Sequence, residues 1–469
     1  MGTPSRSTCL LFVLLATGFG AGAAEPSAQE QAQGILAATG VRGGLIVHVG
    51  CGDGRLTAAL RASDAFLVFG LDADPANVAK AREHIHARGL DGKVTADRLA
   101  GDHLPLIDDV ANLIVAEDLG AVPMAEVMRG RCPNGVACLK RGGNWAKTVK
   151  PRPKDIDEWT HYLHDPSNNA VAHDARVGPP RRMQWLADPS WTRNHHTLAS
   201  ISSVVSSAGR VFYIVDDATG ADMNIAGHWS VVGRDAFNGK LLWKRPIDTW
   251  AWHRRGFRSG PVQLPRTLVA VGGRVFVPLG LGAPVSALDA ATGKTVRTYE
   301  ATDNAEEAIV HDGVLLAIVG APAAEQAGIG PTAPPKMPFP NHKAIAAVRA
   351  ETGDTLWRWT EPEGVHLMPL TLAAAGSRAF FQAGRGVVCL DLASGKEQWR
   401  SGELSQDKPK AGEAGSKKKG RRRRGLGSRS LGWSVATLVV SDGVVLWANG
   451  GRLTALAADT GKSLWDCPC

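Results

Sequence analysis

The stretch LDLASGKEQW, residues 390–399, decides the reading of more than half of this chain. It recurs as RDAFNGKLLW (234–243), LDAATGKTVR (288–297), VRAETGDTLW (348–357) and LAADTGKSLW (456–465). The shared glycines are Gly239, Gly293, Gly353, Gly395 and Gly461. An Asn-, Thr- or Ser-Gly pair makes a tight turn between two strands, because glycine tolerates positive φ. Four residues after the glycine come Trp243, Trp357, Trp399 and Trp465, with Arg297 in the second copy. Each phrase follows a strand-like run: GRVFYIV, GRVFVPL, GVLLAIV, RAFFQAG or GVVLWAN. Tryptophan at a fixed offset can wedge between neighbouring sheets and bury a large apolar area. One small sheet cannot cover both its faces. Sheets stacked radially can, which is the β-propeller solution.

The glycines lie 54, 60, 42 and 66 residues apart. The shortest period suits four strands with tight loops, and the longer ones imply insertions. APAAEQAGIGPTAPPKMPFPNHK (321–343) and the low-complexity stretch 401–430 are the expected insertions, the second without fixed structure. The propeller is expected over 200–469, with about five blades and a ring that need not be complete. RMQWLADP (182–189) is a candidate outer strand that helps to close it.

The recurring phrase resembles the repeat of quinoprotein-type propellers. That family includes pyrroloquinoline-quinone (PQQ) dehydrogenases and cofactor-free relatives that serve outer-membrane assembly. Departures are Arg297 for Trp, Arg349 and Ala457 for Asp, and Asp354 for Lys. The resemblance places a quinone in the propeller channel, near calcium and beside a disulfide of adjacent cysteines. No Cys-Cys pair is present, and no acidic cluster reads as a calcium cage. PQQ is therefore not expected.

The N-terminal third has another rhythm. LIVHVGCGDGRL (45–56) is a strand, a Gly-x-Gly-x-Gly turn and the start of a helix. Such a turn brings backbone N–H groups and a helix start close to a ligand. Strands and helices alternate from 41 to 140, which implies a parallel sheet with helices on its faces. Residues 25–40 read as one lead-in helix, and 141–199 as a connector. With Asp72 ending the next strand, the region resembles a class I S-adenosylmethionine-dependent methyltransferase core. The resemblance assigns Gly50, Gly52 and Gly54 to the methionine and ribose part of the cofactor. It assigns Asp72 to the ribose and Asp97 to the adenine edge. His48 stands where the family usually has an acid. S-adenosylmethionine is thus the one cofactor the chain invites.

Residues 1–24 have the form of an export signal: Arg6, a short apolar core from Cys9 to Phe19, then small residues. That core is too short to span a bilayer, and no later run is long and apolar enough. The expected location is periplasm or cell envelope. The cysteines form no disulfide framework, though Cys132 with Cys138 and Cys467 with Cys469 are candidate pairs. The net charge of +8 is largely one run, KKKGRRRR (417–424). It is a solvated loop or a contact for polyanions. It lacks interleaved aromatics, so no specific nucleic acid is implied. In DEWTHYLHDPSNNAVAHD (157–174), a helix would put His161 and His164 on one face, with Asp165 or His173 as a further metal ligand. The plainer reading is a turn at Asp165, Pro166 and Asn168, with the histidines exposed or capping it. TRNHH, with His195 and His196, is a weaker candidate of the same kind.

The functional expectation is an exported, non-catalytic propeller that binds envelope proteins or polymers through its loop face. Its first domain is a degenerate methyltransferase. The alternatives are an active S-adenosylmethionine-dependent methyltransferase and a PQQ-dependent oxidoreductase.

Overall fold

In the computed structural model, β1 (Gly44–Val49) is the centre of a six-stranded sheet. The model describes residues 26–176, 178, 183–188, 201–218, 228–248, 264–280, 282–320, 343–362, 365–368, 370–403, 438–449 and 451–468. The expected export signal, His195 and His196, the basic run and most of both insertions lie outside these residues. Residues 401–403, assigned above to an insertion, continue a strand, and Lys343 is buried.

The chain enters through helix α1 (Ala28–Thr39), capped by Ser27 and Glu30 in a reciprocal box. After β1 come α2 (Arg55–Ala59), β2 (Phe66–Asp72), α3 (Pro75–Ala87) and β3 (Val94–Arg98). Then follow β4 (Ala111–Ala116), α4 (Met124–Gly130), β5 (Arg131–Arg141) and β6 (Asn144–Val149). The order across the sheet is β3-β2-β1-β4-β5-β6. The first five strands are parallel, as the alternation of strand and helix requires. β6 turns back antiparallel on β5. Residues read from sequence as connector thus extend the sheet, because Gly142 and Gly143 take the positive φ of a tight hairpin.

Both faces of the sheet are buried. Ile46, Val68, Leu113 and Cys138 pack with Ile35, Ala81 and Ile85 of the helices on one side. Val47, Val49, Ile114 and Ala137 pack with Val127 on the other. Cys132 and Cys138 are separate, buried free thiols and not a disulfide. Cys467 is free and exposed, and Cys469 lies outside the described residues.

Five four-stranded antiparallel sheets follow among the described residues. Blade one is β7 (Ile201–Ser207), β8 (Arg210–Asp216), β9 (Trp229–Asp235) and β10 (Leu241–Pro246). Blade two is β11 (Val269–Val271), β12 (Arg274–Pro278), β13 (Val285–Asp289) and β14 (Thr295–Thr298). Blade three is β15 (Ala305–His311), β16 (Val314–Val319), β17 (Ala344–Arg349) and β18 (Thr355–Thr360). Blade four is β19 (Ala373–Ala375), β20 (Arg378–Ala383), β21 (Arg385–Asp391) and β22 (Glu397–Glu403). Blade five is β23 (Leu438–Ser441), β24 (Val444–Asn449), β25 (Arg452–Ala457) and β26 (Ser463–Pro468). The inner strands β7, β11, β15, β19 and β23 neighbour one another in that order, as in a propeller. No helix among the described residues is long and apolar enough to cross a membrane.

The repeated phrase is the blade-to-blade joint. A Cβ on Gly293 would lie 2.6 Å from the ring of Trp243, one blade earlier. Gly395 meets Trp357 at 2.5 Å, and Gly461 meets Trp399 at 2.3 Å. All these glycines have positive φ. Each indole Nε1 donates to the carbonyl three residues before the glycine it covers: Trp243 to Ala290, Trp357 to Leu392, Trp399 to Ala458. Where Arg297 replaces tryptophan, two residues share the work. The Arg297 side chain covers Gly353, and the Tyr299 hydroxyl donates to the Ala350 carbonyl.

The departures at the aspartate also make physical sense. Asp235, Asp289 and Asp391 stand opposite Arg210, Arg274 and Arg378 across the sheet. Arg349 and Ala457 stand opposite Val314 and Val444. Where the acid is absent, the arginine across the sheet from it is absent too.

The segment 183–188 forms no strand. Its Trp185 stacks on Gly239, and Trp185 Nε1 donates to the Ala236 carbonyl at 2.9 Å. Trp185 therefore does for blade one what a preceding blade's tryptophan does for blades two, four and five.

Candidate functional site

The sequence points to two places for a ligand: the glycine turn at the carboxyl end of β1, and the propeller axis.

In the glycine turn, Gly50, Gly52 and Gly54 all have positive φ. Gly54 is required by packing as well, since a Cβ there would lie 2.7 Å from Ala81 Cα on α3. The N–H groups of Gly50 and Cys51 both donate to the Leu71 carbonyl. The Gly52 N–H donates to Asp72 Oδ2 at 2.8 Å. The other oxygen of Asp72 accepts from the Asp74 N–H and the Asn77 amide. Asp72 is buried. The structure thus brings Asp72 and the turn together, as the spacing suggests, and they satisfy each other. Asp97 is held apart on the surface, paired with Arg82 at 3.0 Å and capping the Arg98 N–H.

His48 is buried behind this turn. Its Nδ1 shares a hydrogen bond with Thr57 Oγ1 at 2.8 Å, and its Nε2 has no partner among the described residues. Burial pushes its pKa down to about 4, against weaker opposing pulls from Glu117 and Asp72. The ring is neutral at neutral pH, where the family's usual acid would carry a negative charge. Burial likewise pushes the Cys51 thiol up to about 12, so it supplies no thiolate. Glu117, at the end of β4, accepts from Gln31 and Lys140. The hydrogen bond from Lys140 holds its carboxyl below the usual range. Glu117 was not singled out from sequence, and its only signal there is its place after a buried strand.

The propeller axis is occupied by the chain itself. Residues 159–168 are not helical, and the turn read at Asp165, Pro166 and Asn168 is present, with the Asn168 N–H on the Asp165 carbonyl at 3.3 Å, but His161 and His164 are buried and not exposed. His164 has a φ of +73° and pairs with His161 in an isolated bridge. The segment touches the inner strand of every blade. Ser206 N–H donates to the Trp159 carbonyl at 2.7 Å in blade one, and Ala270 N–H to that of Thr160 at 2.9 Å in blade two. Val310 N–H donates to His161 Nε2 at 3.0 Å in blade three. Ala374 N–H donates to the Pro166 carbonyl in blade four, and Val440 N–H to the Ser167 carbonyl in blade five. Asn168 Nδ2 spans the Leu372 and Leu438 carbonyls of the last two blades.

His161 must accept at Nε2, so its proton sits on Nδ1 and points to Thr160 Oγ1 at 2.7 Å. Burial, with Arg266 nearby, pushes its pKa down to about 3. His164 Nε2 pairs with Asp157 at 2.7 Å. Among the described residues no group of histidine, cysteine and carboxylate side chains is arranged to hold a metal. Beyond the segment lie two buried ion pairs, Arg266 with Glu307 at 3.0 Å and Lys343 with Glu306 at 2.5 Å. Arg266 also donates to the Leu372 carbonyl that Asn168 uses. The Arg266, Glu307 and Lys343 side chains were invisible to sequence reasoning, because no local spacing links them, and Asn168 was read only as part of a turn.

These features define the class: a methyltransferase-type α/β domain in front of a propeller of quinoprotein-like repeats. A family model described as "Outer membrane protein assembly factor BamB" matches residues 227–421 and 384–469, together more than half of the chain. The chain belongs to that family. A second model, described as "Methyltransferase domain", matches residues 46–143. Solved structures similar to the first domain include a SAM-dependent methyltransferase from Aquifex aeolicus, with 19% identity over 23% of this chain and 62% of that one, TM-score 0.22. Another is the YcgJ protein from Bacillus subtilis, with 22% identity over 23% and 49%, TM-score 0.21. A third is geranyl diphosphate C-methyltransferase from Streptomyces coelicolor, with 17% identity over 23% and 43%, TM-score 0.22. The chain spans between 43% and 62% of the length of these three. No curated protein gives a significant sequence match.

Proposed function

We propose that this chain is an exported, envelope-located propeller that binds other envelope proteins or polymers and catalyses no reaction. On this reading its methyltransferase-like domain is a retained structural unit. The observation that carries it is the axial segment 159–168. It takes hydrogen bonds from all five inner strands, along the line where the resemblance would place a quinone. Binding then falls to the blade loops, which a rigid scaffold presents as a broad face. Membership in a family named for outer-membrane assembly, and the export-like start, support the location.

The test is spectroscopic. Purified chain titrated with PQQ and calcium is expected to give a flat difference spectrum. A saturable, calcium-dependent absorbance change would overturn the reading. A fusion of residues 1–30 to a reporter active only outside the cytoplasm is expected to be active, and an inactive, cytoplasmic fusion would remove export from the proposal.

The second reading, an active methyltransferase, is favoured by one observation: three positive-φ glycines at the carboxyl end of β1, beside Asp72. Against it stand the mutual satisfaction of Gly52 and Asp72 and the neutral His48.

A further inference from the structure

We propose that the first domain is seated on blade one as a fixed part of the propeller, and that Asn238 commits this blade's turn to the seat. The inference goes beyond binding by the blade loops. It holds whether or not the glycine turn at Gly50–Gly54 takes a ligand, because the seat lies at the opposite end of the sheet.

The residue before the glycine of the repeated phrase carries the argument. It is Thr292, Thr352, Ser394 and Thr460 in four copies, and Asn238 in blade one. In blades two and four its hydroxyl stays inside its own turn. Thr292 Oγ1 donates to Asp289 Oδ1 at 2.8 Å, and Ser394 Oγ to Asp391 Oδ1 at 2.6 Å. In blade one the side chain leaves the turn. Asn238 Nδ2 donates to the Val110 carbonyl at 2.9 Å and to Asn112 Oδ1 at 2.7 Å, both at the amino end of β4. The first domain answers in kind. Asn112 Nδ2 donates to Asp235 Oδ2 at 2.6 Å, and Asn112 Oδ1 also accepts from the Leu45 N–H of β1 at 2.8 Å. One amide thus ties two strands of the first sheet to the turn of blade one.

Asp235 is changed by the seat. It is buried, and burial pushes its carboxyl up, whereas Ser394 holds that of Asp391 below the usual range. A buried acid depends on its donors, and Asn112 joins the N–H groups of Phe237 and Asn238 in that part. Packing and charge follow the same line. Leu242 of β10 lies against Gly43, 2.7 Å from the place of a Cβ, and Arg42 pairs with Asp289 of blade two at 3.3 Å. Every first-domain group in the seat stands at or just before the amino end of β1 or β4. The glycine turn stands at the other end of β1, about 17 Å along the strand, and faces away from the propeller.

Hydrogen exchange of the full chain, read by mass spectrometry on its peptides, tests the seat. Asn238→Thr gives blade one the residue type of the other copies, so its turn can close on itself, and removes both bonds to the first domain. Exchange in 42–49 and 110–116 is expected to rise by about tenfold or more, with 201–207 and 229–235 close to the parent. A second set swaps the buried pair. Asn112→Asp sets a carboxylate against Asp235 and is expected to speed the same first-domain peptides. Adding Asp235→Asn restores a donor opposite an acceptor and is expected to return them towards the parent rate. Parent-like exchange at 42–49 and 110–116 in Asn238→Thr would overturn the proposal. So would a double variant whose first domain exchanges as fast as that of Asn112→Asp, because the pair would then not be what holds the seat.

Discussion

Gly395 of the propeller and Gly52 of the first domain share one backbone conformation and meet different surroundings. In the propeller, Gly395 has a φ of +69° and an indole ring against the place its Cβ would fill. In the first domain, Gly52 has a φ of +54° and nothing within 4 Å of that place. The first kind of glycine is fixed twice, by dihedral and by neighbour. The second is fixed by dihedral alone, and its N–H is held by Asp72. At these two positions the ordinary turn makes the tighter contact, and within the cradle only Gly54, against Ala81, is packed in the same way.

The largest expected effect tests the doubly fixed kind. Gly395→Ala adds left-handed strain, about 1–2 kcal/mol, to a clash with Trp357, and should destabilise by roughly 3 kcal/mol or more, read by denaturant unfolding. Trp357→Ala should cost about 3–5 kcal/mol as a large buried truncation. Combining the two should cost clearly less than their sum, because the clash is gone. Additive costs would break the joint as drawn here.

Arg266→Ala should also cost about 3–5 kcal/mol, since it strands the buried Glu307 carboxylate and leaves the Leu372 carbonyl with the Asn168 amide as its one remaining side-chain donor. Next in size is Gly52→Ala, which meets no neighbour and should cost about 1–2 kcal/mol of strain. A loss as large as that of Gly395→Ala would erase the contrast between the domains.

Acid sensitivity comes next. His48 and His161 have folded pKa values of about 4 and about 3, below the ordinary 6.5. The unfolded chain therefore binds protons that the folded chain refuses. Their contribution is intact above pH 6.5 and is lost as pH falls through that value towards 4 and 3. His161→Asn should flatten part of that slope in unfolding measured against pH, and an unchanged slope would remove His161 as its source. The smallest effect belongs to Trp465→Ala, within about 0.5 kcal/mol of wild type, because the ring is largely exposed.

The repeat was legible because each blade writes its joint in ten consecutive residues. The parallel sheet was legible because buried strands read as short apolar runs bounded by glycine and acids. The axial segment was not, since its inner-strand partners lie between 47 and 273 residues away, from Ser206 to Val440, and are mostly backbone groups that sequence does not mark. The histidines at 161 and 164 misled for the same reason: a three-residue spacing suggests a helix face, but five inner strands set their conformation. Trp185 was read as part of a closing strand, and only the position of Gly239 shows that its ring alone makes the joint.

The most direct measurement is calorimetric titration of the purified full chain with S-adenosylmethionine. The account predicts no saturable heat, because Asp72 and the Gly52 N–H are engaged with each other and the neutral His48 replaces an acid. Stoichiometric binding that disappears in Asp72→Ala would contradict it.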